Sequence, residues 1–143
     1  DSLGIGDQRG DRLYGSYSWG GLKIGLAWDK SRIKAVPGGG DLSRRTVWSI
    51  PVSYRWGAHS IHAHYDRAGD DKVMPGDEKA RMFAISYAYD FSRRTSAAVT
   101  YARINNSTNA AYNFFNGTTL GVSAAPFAGE DPRLWGVTLR HQF

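Results

Sequence analysis

Apolar and polar residues alternate strictly in seven segments of the chain, a period of two that is typical of β-strands. No segment sustains the 3.6-residue period of an amphipathic helix. The pattern predicts an all-β fold, an antiparallel meander of about seven strands. The apolar positions are Leu13, Gly15, Tyr17, Trp19; Leu22, Ile24, Leu26, Trp28; Trp48, Ile50, Val52, Tyr54, Trp56; Ile61, Ala63, Tyr65; Phe83, Ile85, Tyr87, Tyr89, Phe91; Ala97, Val99, Tyr101; and Trp135, Val137, Leu139, His141, Phe143.

The connections between these segments alternate between short and long. The short ones are the tight turns Gly20-Gly21, Gly57-Ala58 and Ser92-Arg93-Arg94, and the long ones are the polar loops at 33–43, 68–79 and 105–131. Outer-membrane barrels have short turns at one end and longer loops at the other. The alternation therefore indicates a meander whose two ends face different environments.

The placement of aromatic residues indicates which medium the apolar positions contact. Alternation alone is compatible with a buried core or with lipid. Three strands begin and end with aromatic residues eight positions apart, about 26 Å along a strand and about 20 Å of depth at a tilt of about 40°. This spacing favours lipid between two aromatic girdles. The predicted girdle residues are Trp19, Trp28, Trp48, Trp56, Phe83, Phe91, Tyr101, Trp135 and Phe143.

The parity of the strand count indicates a larger assembly. A sheet in a bilayer must close, because unpaired backbone groups find no water there. Bacterial single-chain barrels have an even number of strands, whereas seven are predicted here. We therefore expect residues 1–143 to be the C-terminal part of a single barrel domain, with residues 1–10 in a loop.

Composition alone would suggest a different class. The chain has 143 residues, 41% of them hydrophobic and 22% charged, which is typical of a soluble globular domain. It contains no cysteine, which excludes disulfides, thiolate zinc sites and cysteine nucleophiles. A soluble ligand-binding barrel of the lipocalin kind therefore remains the alternative to a membrane barrel.

The end of the chain resembles a known family. The nine residues Trp135–Phe143, with a terminal aromatic and alternating apolar residues, resemble the closing strand of bacterial outer-membrane proteins. The longer segment Gly129–Phe143 resembles the ending of β-proteobacterial general porins, and Tyr87–Thr95 and Tyr101–Asn106 show the same similarity. The similarity is clearest from about residue 80 onwards, whereas residues 11–67 fit by pattern.

This resemblance implies a sixteen-stranded, homotrimeric porin of the Gram-negative outer membrane, without cofactors, for which the chain would supply seven strands. The constriction loop would lie outside this chain. The resemblance also implies that the barrel-assembly machinery reads a signal in the last strand. The residues expected to form that signal are Trp135, Val137, Leu139 and Phe143.

The function that follows is passive diffusion of small hydrophilic solutes and ions through a water-filled channel, with lipid outside it. Side chains that point inward set the charge preference of such a channel. The predicted pore-lining residues are Lys23, Asp29, Arg45, Arg55, His62, His64, Asp66, Asp90 and Arg140. The net charge of +5 favours anions mildly, although salt screens charges that lie near the mouths.

Other chemistries have weaker support. His59, His62 and His64 could suggest a metal site, but a polar lumen wall, where these side chains need no partner but water, is the favoured interpretation, and no metal is predicted. Basic residues such as Arg44-Arg45 lie at strand ends and not in one patch, so no nucleic-acid partner is predicted. No nucleophile elbow, phosphate-binding loop or acid–base pair stands out, so an enzyme is not predicted.

Overall fold

Seven strands follow one another in a single antiparallel sheet, arranged in chain order. The computed structural model describes residues 5–35, 40–73, 75–114 and 127–143. Within these ranges no helix is long and apolar enough to cross a membrane. The predicted all-β meander is confirmed. The strands are β1 (Ile5–Trp19), β2 (Leu22–Ala35), β3 (Asp41–Trp56), β4 (His59–Ala68), β5 (Ala80–Asp90), β6 (Thr95–Asn106) and β7 (Arg133–His141).

The strands at the start of the chain extend further than the alternation indicated. Strand β1 begins at Ile5, so residues 5–10, expected in a loop, belong to the sheet; residues 1–4 lie outside the described residues. The end of β2 and the beginning of β3 likewise include part of the loop predicted at 33–43. Backbone pairing continues here, as in Arg9↔Arg32, where polar residues occupy both faces. Alternation of apolar residues appears only where one face of a strand contacts an apolar environment. The backbone hydrogen bonds between strands need only a neighbouring strand, so they continue where both faces are polar.

The predicted tight turns all lie at one end of the sheet, the tight-turn end, and the longer connections lie at the other, the long-loop end. Gly20 and Gly57 have φ values of 55° and 56°, a conformation that glycine adopts without strain. At Gly21 a Cβ atom would lie 2.1 Å from the carbonyl oxygen of Arg55. Glycine therefore allows the close approach that the first turn requires.

Cross-strand register brings the predicted apolar positions onto one continuous surface, which we call the apolar face. Trp28 lies opposite Trp48, and Ile85 lies opposite both Ala63 and Tyr101. This face is not covered by any described part of the chain: Trp135 is 72% exposed, and no large side chain in the described ranges is fully buried. The tryptophans therefore do not form a compact interior core.

Apart from Gly25, the buried residues lie on or next to the opposite surface, the polar face, at its long-loop end. Ala68, Ala80 and Ile104 form a small apolar cluster there. Tyr112 and Phe114, from the β6–β7 connection, pack against it. The described segment 107–114 therefore folds over the polar face, a feature that the alternation pattern did not indicate.

Candidate functional site on the polar face

The polar face lines a cavity of about 810 Å³. Polar-face positions of β1 to β6 supply most of its lining, and the charged residues and histidines among them are Arg12, Lys23, Asp29, His62 and His64. A sheet that bends around such a space has its polar face on the inside. This geometry can enclose water and solutes.

The middle of the polar face carries mainly small side chains. Gly25 lies so close to Pro51 that a Cβ atom would come within 2.9 Å of the proline ring. The hydroxyl of Thr100 donates a hydrogen bond to Ser86 Oγ at 2.9 Å. Small residues project little from the wall, so they leave the enclosed space open.

The strand register places the nine predicted pore-lining residues on the polar face, and most of their charges are paired. Arg55 Nη2 contacts Asp90 Oδ2 at 2.7 Å, and His64 Nε2 contacts Asp66 Oδ1 at 2.9 Å. Asp29 is bound by Arg12, which precedes the first apolar position and so carries no signal in the alternation pattern. The carboxylates of this face therefore have cationic or imidazole partners.

Two cations of the polar face have no such partner. Among the described residues, Lys23 and Arg140 form no ion pair, and both lie towards the tight-turn end. Lys23 lies opposite Ser18 and Ser53, and Arg140 opposite Ser96. The uncompensated charge on this part of the wall is therefore positive.

Arg45 lies on the predicted face, but its guanidinium is held by loop residues. Nη2 donates to Glu78 and Nη1 donates to the hydroxyl of Tyr112. The guanidinium carbon lies 5.7 Å from the centre of the Tyr112 ring, within the range of a cation–π contact. Burial is the main cause of the raised pKa of Tyr112. Arg45 therefore fixes segment 107–114 onto the sheet, and no local pattern signals Glu78, Tyr112 or Phe114 in this role.

The β4–β5 connection presents Glu78 to Arg45. Asp71 is buried and accepts hydrogen bonds from the backbone N–H groups of Arg44 and Val73, at 3.2 and 2.8 Å. Asp70 accepts one from the N–H of Glu78 at 3.0 Å. The two aspartates thus tie this connection to itself and to β3.

We expect the ionised Asp70 side chain to keep the β4–β5 connection folded in mild acid. The backbone hydrogen bond from Glu78 is the main cause of the lowered pKa of Asp70. The stability that the ionised Asp70 carboxylate gives to this connection is complete above the usual aspartate pKa, and it is lost only as pH falls through the lowered pKa. The protection factor of the Glu78 amide, its exchange rate relative to the intrinsic rate at the same pH, should therefore stay high through the usual aspartate range and fall below it. In Asp70→Asn this acid-induced loss of protection should disappear; its persistence would assign it to another group.

The three histidines of β4 do not converge. His62 and His64 lie on the polar face, whereas His59 lies on the apolar face, stacked on Trp56 at a ring-centre distance of 5.3 Å. Its Nδ1 atom lies 2.7 Å from the Tyr87 hydroxyl. His59 is therefore part of an aromatic group, a role that its position at the start of β4 did not reveal.

The predicted girdle residues lie towards the two ends of the apolar face, and several form ring contacts. At the long-loop end, the ring centres of Trp28 and Trp48 lie 6.5 Å apart, and those of Tyr101 and Trp135 lie 4.6 Å apart. At the tight-turn end, Phe91 contacts Tyr89 and Phe143 contacts His141. Aliphatic residues such as Ile85 and Val99 lie between the two groups.

Comparison with protein-family models gives a match to the Gram-negative porin model over residues 1–109. The chain belongs to the Gram-negative porin family. This porin is therefore a β-stranded protein of the bacterial outer membrane. The match includes residues 11–67, which resemble the family by pattern alone, and it ends before the closing segment Gly129–Phe143.

A solved structure supports the fold of this porin. The anion-selective porin from Comamonas acidovorans superposes with a TM-score of 0.76 at 24% sequence identity. The alignment covers 95% of this chain and 39% of that chain. A search of curated proteins gave no match. The seven-stranded sheet therefore corresponds to part of a porin barrel.

Proposed function

We propose that this porin chain forms part of a closed barrel through which small hydrophilic solutes and ions diffuse passively. The observation that carries this proposal is the separation of the sheet into an exposed apolar face and a concave polar face. In a closed barrel the first would contact outer-membrane lipid and the second would line water. The nine polar-face residues would then act as pore-lining residues. Passive diffusion requires no catalytic group.

Closure of the barrel requires strands beyond β1 and β7. Neither strand has a second neighbour in the described sheet, and an open edge is not viable in a bilayer. We infer that residues 1–143 are one portion of a single sixteen-stranded domain that assembles as a homotrimer, as the sequence resemblance implies. Trp135, Val137, Leu139 and Phe143 are all strongly exposed at one edge, which supports their role as the signal for the barrel-assembly machinery.

The charge balance supports a mild preference for anions. Lys23 and Arg140 remain without carboxylate partners among the described residues, whereas Asp29, Asp66 and Asp90 are each paired. A cationic wall raises the local concentration of anions. The structural neighbour is itself described as anion-selective, which is consistent with this proposal.

Reversal potentials in a salt gradient test this function. In the complete barrel, Lys23→Glu with Arg140→Glu should shift the reversal potential towards cation selectivity, because both changes place negative charge on the channel wall. Lys30→Glu is the matched control, since Lys30 belongs to the same strand as Lys23 but to the apolar face; it should leave the reversal potential unchanged. A barrel that is soluble and monomeric without detergent and conducts no ions would refute the proposal.

A further inference from the structure

Polar side chains from five neighbouring strands form one row across the polar face, at the level of the unpaired cation Lys23. Cross-strand register places Lys23 opposite Ser53 and Ser53 opposite His62. The row continues from His62 to Ser86 and from Ser86 to Thr100. All of these residues line the cavity of about 810 Å³. The row, which we call the Lys23 row, therefore presents an ammonium group, an imidazole and three hydroxyls to the enclosed space.

The first three side chains of the Lys23 row have no partner. In the part of the chain that the structure describes, the side chains of Lys23, Ser53 and His62 form no hydrogen bond and no ion pair. Lys23 and His62 are exposed, and Ser53 is partly buried. A cation, a hydroxyl and an imidazole therefore face the cavity with their hydrogen-bonding capacity unused.

The carboxylates of the wall lie away from the Lys23 row, and each of them is paired. Asp29 lies six residues from Lys23 along β2, and Asp66 lies four residues from His62 along β4. Asp90 lies just as far from the row along β5. At about 3.3 Å per residue, these separations are about 13–20 Å, which exceeds the screening length of about 8 Å at physiological salt. The potential near Lys23 is therefore locally positive.

Few charged groups face His62 from the neighbouring strands. The residues directly opposite it on β3 and β5 are serines. The nearest charged groups on those strands, Arg55 and Asp90, pair with each other. On its own strand, His64 pairs with Asp66. The unpaired charge nearest to His62 is therefore the ammonium group at the start of the row.

The spacing of the Lys23 row matches the size of a compact oxyanion. Neighbouring strands lie about 4.8 Å apart, so the backbones at Lys23 and His62 are about 10 Å apart, with Ser53 between them. The lysine stem is long and flexible, so its ammonium group can reach over Ser53 towards the imidazole. The Ser86 hydroxyl accepts a hydrogen bond from Thr100 at 2.9 Å and keeps its own hydrogen to donate. An anion above Ser53 would therefore meet donors from several directions, some of them charged.

We propose that Lys23, Ser53 and His62 form a binding site on the channel wall for a doubly charged oxyanion, inorganic sulfate or phosphate. This inference rests on the proposed function, because it requires the polar face to line a water-filled channel. Lys23 and protonated His62 offset the two negative charges, and Ser53 donates a hydrogen bond between them. An ion that passes through a channel must also leave each site, so the expected Kd is in the millimolar range.

Sulfate titration of the complete detergent-solubilised barrel, followed by the imidazole NMR signals, tests this site. Lys23→Gln should raise the Kd about tenfold and Ser53→Ala about fivefold, because each removes a donor to a charged ligand. Ser53→Thr keeps the hydroxyl and should stay within about twofold of the unmodified barrel. The matched control is Ser49→Ala, on the same strand and in the same cavity, which should also change the Kd less than about twofold.

Sulfate affinity should depend on pH through His62. Imidazole gains its positive charge as pH falls from about 8 to about 5, whereas sulfate stays fully ionised over this range. The affinity should therefore rise about fivefold between these pH values, measured as sulfate inhibition of the chloride current in planar bilayers. In His62→Gln this pH dependence should disappear. In the matched control His59→Gln, on the apolar face of the same strand, it should persist.

Three outcomes would overturn the proposal. These are sulfate affinity that Lys23→Gln and Ser53→Ala leave unchanged, equal affinity for the singly charged nitrate ion, and a pH dependence that survives in His62→Gln. The conductance of the unmodified barrel distinguishes this site from the proposed function. A barrel that conducts ions but does not bind sulfate at these residues refutes only the site. A barrel that binds sulfate there in detergent but conducts no ions refutes the proposed function.

Discussion

Replacing Ile85 by arginine should destabilise the complete barrel in phospholipid vesicles by about 1–3 kcal/mol, because a cation on the lipid face costs about 0–1 kcal/mol near an interface and about 2–4 kcal/mol at the bilayer midplane. Ile85 lies on the apolar face between the two aromatic groups, two residues from Phe83 and six from Phe91, and opposite Ala63 and Tyr101. Its side chain is 39% exposed in the described sheet, so the same substitution in water would have a small effect. The measurement is reversible urea unfolding in vesicles.

Two further arginine substitutions distinguish the effect of the face and depth from the effect of arginine itself. His62→Arg places the same side chain at nearly the same depth but on the polar face, and it should change the unfolding free energy by less than about 0.5 kcal/mol. Phe83→Arg, next to the cation Arg81 on the apolar face, should cost about 0–1 kcal/mol because cost falls towards the interface. Equal losses at Ile85 and His62 would contradict the assignment of faces.

Replacing Arg45 by alanine should release segment 107–114 from the polar face. The substitution removes the donor to both Glu78 and Tyr112 and the cation over the Tyr112 ring. These groups are only partly buried, so we expect a loss of about 1–2 kcal/mol in the docking of the segment. That loss corresponds to a roughly tenfold increase in its undocked population. The channel should therefore show a higher single-channel conductance and faster hydrogen exchange at Tyr112.

Two variants serve as controls for the Arg45 substitution. Arg45→Lys keeps the charge but loses the planar fork that reaches two acceptors, so it should restore docking only in part. Phe114→Ala removes an apolar contact of the same segment without changing charge, and it should raise conductance in the same direction. If Arg45→Ala left both the conductance and the exchange of the segment unchanged, Arg45 would not be its anchor.

Alternation along the chain was sufficient to predict the strands and the membership of each face. Successive side chains of a strand point to opposite sides, so residues such as Leu22, Ile24 and Leu26 share a face whatever their partners are. Short turns at Gly20-Gly21 and Gly57-Ala58 then set the register of their hairpins. Strand ends were less predictable: residues 5–10 pair with β2 in a polar environment that leaves no alternation.

The two-residue period of the apolar positions, the tight turns and the residues that share each face therefore follow from the sequence of this porin alone. Which charges are paired, and which arginines oppose one another, depends on how the strands and loops come together in three dimensions. Arg12 meets Asp29, and Arg67 meets Arg81, only because cross-strand register brings them together. Likewise, Arg45 holds Tyr112 because a loop folds back over the sheet. Such contacts join residues far apart in the chain, and the pattern along a single strand contains no information about them.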